Sequence, residues 1–70
     1  MTLKKRSFSL SGHRTSVALE AEFWAVLEAE AAAHGLGMAA YVKRIDETRA
    51  ARPLASALRV AALAAARGRA

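Results

Sequence analysis

A chain of 70 residues with no cysteine, one proline, four glycines and a formal net charge of +5 holds at most one small domain. Domains of this size bury only ~60% of their unfolded surface, and with no disulfide or thiolate site to compensate, a partner chain is the expected source of extra burial. No apolar run nears the ~20 residues that span a bilayer, and Lys4-Lys5-Arg6 leads into an alternating segment rather than the apolar stretch of a signal peptide, so a cytoplasmic setting is expected.

Residues 1–11 carry Lys4, Lys5 and Arg6 and read as a basic N-terminal arm suited to phosphates. Phe8 and Leu10 alternate with serines, however, which leaves a short added strand as the other reading. In that case a two-residue turn at Ser11-Gly12 pairs Phe8 with Thr15 and Arg6 with Val17, and brings Phe8, Leu10 and Val17 to one face. Gly12 suits a bulge or bend equally well. From Arg14 to Leu19 the period is two: Thr15, Val17 and Leu19 face one way, Arg14, Ser16 and Ala18 the other. With β-branched residues in the run, this is a strand.

Residues 21–34 predict a first helix. Phe23, Leu27 and Ala31 form its stripe, Trp24, Val26 and Ala33 flank it, and Glu22, Glu28, Glu30 and His34 take the wet side. Gly35 stops it, and Gly35-Leu36-Gly37 turns into a second helix over 38–50, with Met38, Tyr41, Val42 and Ile45 inward. Arg52-Pro53 breaks that helix and starts a third over 54–66, rich in alanine, lined by Leu54, Leu58 and Ala61/Ala62 with Val60 and Leu63 beside them. Residues 67–70 are expected to fray. The domain proper is therefore 12–66, between the arm and the tail.

Charge is segregated along this order. Residues 1–19 sum to +4, residues 20–34 to −4, and residues 35–70 set seven bases against Asp46 and Glu47, a local +5. Such blocks suit a polyanion on one face, with solubility alone as the plainer reading. Chemistry is not indicated: His13 and His34 lack a thiol or carboxylate at ligand spacing, no nucleophile sits beside a base, and no phosphate-binding glycine loop is present. Neither an enzyme nor a metal or cofactor is expected. Trp24 and Tyr41 read as core.

A strand with a polar outward side, a helix, a glycine-containing turn and a second helix resemble, in this order, the ribbon-helix-helix DNA-binding proteins. Leu19 ends the strand, Phe23 and Leu27 open the helix, Gly35 stops it and Gly37 starts the next. The run Gly12-His13-Arg14-Thr15-Ser16-Val17-Ala18-Leu19-Glu20, followed by Glu22-Phe23-Trp24, is similar to a bacterial subgroup that adds a third helix. That helix opens Leu-x-Ser-x-Leu-Arg, here Leu54-Ala55-Ser56-Ala57-Leu58-Arg59. The resemblance covers about residues 5–64.

It implies a mostly α fold with one short strand, in which two copies intertwine as a homodimer. Their strands would form a two-stranded antiparallel intermolecular ribbon that enters the DNA major groove. A groove ~12 Å wide admits two strands but not four, which favours the arm over the added strand. The resemblance assigns base contacts to Arg14, Ser16 and Ala18. Arg14 suits guanine O6 and N7, worth ~1–3 kcal/mol of discrimination, Ser16 is weakly selective, and Ala18 is short for this position. Phosphate contacts fall to Lys4, Lys5 and Arg6 and to the start of the second helix at Gly37, Met38 and Ala39, with Lys43 and Arg44 as further reach. The implied dimer core is Val17, Leu19, Phe23, Trp24, Leu27, Tyr41, Val42 and Ile45. The implied function is a sequence-selective transcriptional regulator that binds double-stranded DNA and is nucleoid-associated when bound. Alternatives are an antitoxin, or an interaction module without DNA that offers a protein partner Leu54, Leu58 and Leu63 of the third helix.

Overall fold

Ser11 and Gly12 both adopt positive φ, 52° and 82°, as a type I′ turn requires, and the twist of that turn matches the strands it joins. Those strands are β1 (Leu3–Leu10) and β2 (His13–Glu20), a two-stranded antiparallel sheet within the single chain. Their register sets Leu10 against His13, Phe8 against Thr15, Arg6 against Val17 and Lys4 against Leu19. This is the pairing that follows from a turn at Ser11-Gly12. The computed structural model describes residues 2–68.

The fold thus has two strands where one was expected, and the described part of the expected arm is β1. The cause is burial. Phe8 and Leu10 are only 7% and 5% exposed, packed with Val17 and Leu19 under the sheet. A free arm would leave both in water, at a cost of roughly 1.5–3 kcal/mol for each large side chain.

Three helices follow: α1 (Ala21–Ala33), α2 (Met38–Thr48) and α3 (Leu54–Gly68). α1 closes as a Schellman motif. Gly35 takes φ 68°, its N–H bonds to the carbonyl of Ala32 at 3.0 Å, and the Leu36 N–H bonds to that of Ala31 at 2.9 Å. α2 ends two residues earlier than its pattern predicts, because Ala50 enters the left-handed region at φ 56°. α3 runs further than predicted. Arg67 and Gly68, expected to fray, are helical, while Arg69 and Ala70 lie outside the described residues.

The helices pack on one side of the sheet, with α2 against β1 and α3 against β2, α1 and α2. Trp24, Leu19, Leu27, Leu58 and Val42 are the largest fully enclosed side chains. The α1 stripe is centred on Trp24, Leu27 and Ala31; Phe23 and Val26 are half-buried at its margin and Ala33 is exposed. The eight residues expected at a dimer interface are therefore gathered inside one chain. Val17, Leu19, Trp24, Leu27, Tyr41 and Val42 are buried, and Phe23 and Ile45 pack against them. β1 and α3 supply the missing cover, through Phe8, Leu10, Leu58 and Ala62. A radius of gyration of 11.4 Å agrees with about 11 Å for a compact chain of this length.

Candidate nucleic-acid interface

Opposed residues of an antiparallel pair share a face, so the register sorts the ribbon into two surfaces. Toward the helices point Lys4, Arg6, Phe8 and Leu10 with their β2 partners. Away from them point Leu3 beside Glu20, Lys5 beside Ala18, Ser7 beside Ser16, and Ser9 beside Arg14. Of these eight, six are exposed, and Ala18 and Glu20 are half-buried. Arg14, Ser16 and Ala18 do therefore share an outward face, as expected from β2 alone.

β1 changes what that face is. The hydroxyls of Ser7 and Ser16 lie 2.8 Å apart, and an Arg14 Nη1 donates to Ser9 Oγ at 3.4 Å. Ser7 and Ser9 were missed as part of this surface. The alternation of Phe8 and Leu10 was the signal, since burying those two turns the serines outward.

The cations sort by face. Inward-facing Arg6 donates to Glu28 of α1 at 2.5 Å and lies 4.9 Å from the centre of the Trp24 ring. It is on the opposite side from Arg14 and paired with α1, so the three adjacent basic residues do not share one face of the ribbon. Lys4 has the same inward parity, and its carbonyl accepts the Trp24 Nε1–H at 2.7 Å, which ties α1 to β1. Arg59 of α3 donates to Glu20 at 3.2 Å and covers the Phe23 ring at 5.7 Å. A hydrogen bond from its own backbone amide holds the Glu20 carboxyl below its ordinary value; burial opposes this, and Arg59 adds to the lowering. Outward-facing Lys5 and Arg14 form no ion pair among the described residues, and neither does Lys4.

The start of α2 presents backbone donors. Gly37 is its N-cap with no side-chain cap, and the first helical bond runs from the Tyr41 N–H to the Gly37 carbonyl at 3.0 Å. The N–H groups of Met38, Ala39 and Ala40 precede that ladder. Met38 is half-buried while Ala39, Ala40, Lys43 and Arg44 are exposed.

Other expectations are adjusted. His34 does meet a carboxylate, Glu30 one turn back at 3.1 Å, and stacks on Tyr41 at 6.4 Å. Among the described residues no three ligating side chains converge, and no helix is long and apolar enough to cross a membrane. Of the three leucines offered to a protein partner by α3, Leu58 is fully buried, Leu54 is half-buried and Leu63 alone is largely exposed.

A family model described as a ribbon-helix-helix domain matches residues 3–66, from the first residue of β1 almost to the end of α3. The chain belongs to the ribbon-helix-helix family. Ribbon-helix-helix domains are non-catalytic modules that generally serve sequence-specific DNA binding and transcriptional regulation, and they typically engage DNA and self-associate. No curated protein and no solved structure matches the chain. For this ribbon-helix-helix chain the match has one structural consequence: it includes β1, so the added strand belongs to the matched domain.

Proposed function

We propose that the protein is a sequence-selective double-stranded DNA-binding protein, a transcriptional regulator acting as a homodimer, that lays the outward face of its β-ribbon in the major groove. What carries this reading is the outward face itself. Arg6, on the helix side of the ribbon, is neutralised by Glu28, and Arg59 of α3 by Glu20, whereas Lys5 and Arg14 stand without an ion pair among the described residues on an outward face of small and hydroxyl side chains. Small side chains let the backbone approach the groove floor, and the guanidinium of Arg14 can donate to guanine O6 and N7. Ser16 and Ala18 border it, and Lys5 reaches toward phosphate. The open N–H groups at Met38 and Ala39 after Gly37, with Lys43 and Arg44, suit further phosphates.

The ribbon is complete within one chain. Two strands ~4.8 Å apart enter a ~12 Å groove, but joining two copies along the open edge of β2 makes four strands, ~14 Å between the outer axes before side chains are counted. Each copy therefore inserts its own hairpin, and the two copies read a repeated site.

Six to eight phosphate contacts per dimer give a log–log salt slope of roughly −5 to −7. Arg14→Ala is expected to lower discrimination against a wrong base by ~1–3 kcal/mol while sparing non-specific binding. Lys5→Ala should weaken all sequences alike and flatten the salt slope by about one. Fluorescence anisotropy on specific and scrambled duplexes measures both. An unchanged sequence preference in Arg14→Ala removes the ribbon as the reader.

A further inference from the structure

We propose that Ser9 of β1 is a positioning residue for Arg14, its hydroxyl holding the guanidinium so that the remaining donor edge faces a guanine. This role rests on the major-groove reading of the ribbon and adds to it a residue that acts through Arg14.

Two observations bring the pair together. The register sets Ser9 directly opposite Arg14 on the outward face, where opposed Cβ atoms lie ~4.5–5.5 Å apart. Across that gap Arg14 Nη1 donates to Ser9 Oγ at 3.4 Å. No carboxylate pairs with Arg14 among the described residues, so the guanidinium is oriented by a neutral acceptor and keeps its full charge. The next rung is closed in its own right, with the Ser7 and Ser16 hydroxyls 2.8 Å apart. Ser9 is therefore the hydroxyl of this face that is turned to the arginine.

A guanidinium carries its N–H donors in a fixed planar fork. Ser9 takes one of them from Nη1. That leaves Nε–H and the neighbouring Nη2–H, two parallel donors on the other edge, and guanine O6 and N7 accept such a pair. A long side chain that must be ordered on binding weakens the complex. With Ser9 in place, part of that ordering exists before DNA arrives. The two-donor contact forms at guanine alone, so the gain falls on the preferred sequence and not on scrambled DNA.

The probe is the duplex that wild-type protein enriches from a random pool, together with copies in which each guanine pair in turn is replaced. Fluorescence anisotropy then compares variants. Ser9→Ala should lower the preference for the guanine read by Arg14 by roughly two- to tenfold. Affinity for a scrambled duplex and the salt slope should stay at the wild-type values, because no charge is removed. Ser9→Thr keeps the hydroxyl and should keep the preference. In an Arg14→Ala background Ser9→Ala should change nothing further, which is the signature of two residues acting as one unit. A residue that merely stabilised the hairpin would weaken all sequences alike, with or without Arg14.

Wild-type preference in Ser9→Ala, when Arg14→Ala loses it, overturns the positioning role and leaves the DNA reading standing. Equal losses from Ser9→Ala in both backgrounds, or a loss in Ser9→Thr as large as in Ser9→Ala, overturn the role as well. Wild-type protein that enriches no sequence, or an Arg14→Ala variant with unchanged preference, overturns the reading by the ribbon and this role with it.

Discussion

Leu58→Ala tests whether α3 completes a core within one chain. Leu58 is 0% exposed and packs in the same cluster as Leu19, Trp24, Leu27 and Val42, so its side chain joins β2, α1 and α2 to α3. Removing it from so enclosed a site costs the transfer of its lost atoms plus a cavity, about 3–5 kcal/mol. A domain of this length has a total stability of only ~4–10 kcal/mol. At ~4–8 °C per kcal/mol, the thermal midpoint should fall by roughly 12–40 °C. Far-UV circular dichroism at low protein concentration measures this, with Val60→Ala on the exposed side of the same helix as the control. That control should change stability by less than about 0.5 kcal/mol. Dilution adds a second criterion, since a core closed within one chain keeps its midpoint while an interface-built core loses it. A fall below about 5 °C for Leu58→Ala, or a wild-type midpoint that drops steadily on dilution at low concentration, refutes the single-chain core.

Two further expectations concern the ribbon and its junction with α1. Gly12→Ala places a Cβ at φ 82°, where nothing crowds it but the backbone conformation is unfavourable; a loss of about 1 kcal/mol in chemical denaturation is expected, and no loss would mean that the turn relaxes freely. Glu20 predicts a pH effect. Its carboxyl is held below its ordinary value of 4.5 by its own backbone amide and then by Arg59, so the folded state binds its proton less readily than the unfolded chain does. That stabilisation is present above pH 4.5 and is lost as the pH falls through the lower folded value. Glu20→Gln should therefore flatten the acid limb of stability against pH, and an acid limb identical to wild type would remove the carboxylate from the account.

The match between sequence and structure differs from element to element. β2 was legible because the alternation of Thr15, Val17 and Leu19 places burial on one side only, and that same alternation exposes Arg14 and Ser16. α1 and α2 were legible from helical spacing and from Gly35, whose positive φ the chain requires. β1 was legible only as an alternative. Its alternation was visible, but the width of the groove argued against it, on the premise that β2 must pair with a second copy. The ion pairs Arg6–Glu28 and Arg59–Glu20 join residues far apart in the chain. No spacing announces such contacts, and with them went the knowledge of which basic residues are already neutralised.

The sequence by itself determined the periodicities, and therefore the helices and the polar side of β2, because each depends on neighbours a few residues away, whereas the turn at Ser11-Gly12 was settled by the positive φ of both residues. Only the tertiary structure decided where the apolar faces find their cover. Sealing Val17, Leu19 and Trp24 takes area from Phe8, Leu10 and Leu58, and whether that area comes from the same chain or from another depends on how distant segments meet in space, which local pattern does not encode.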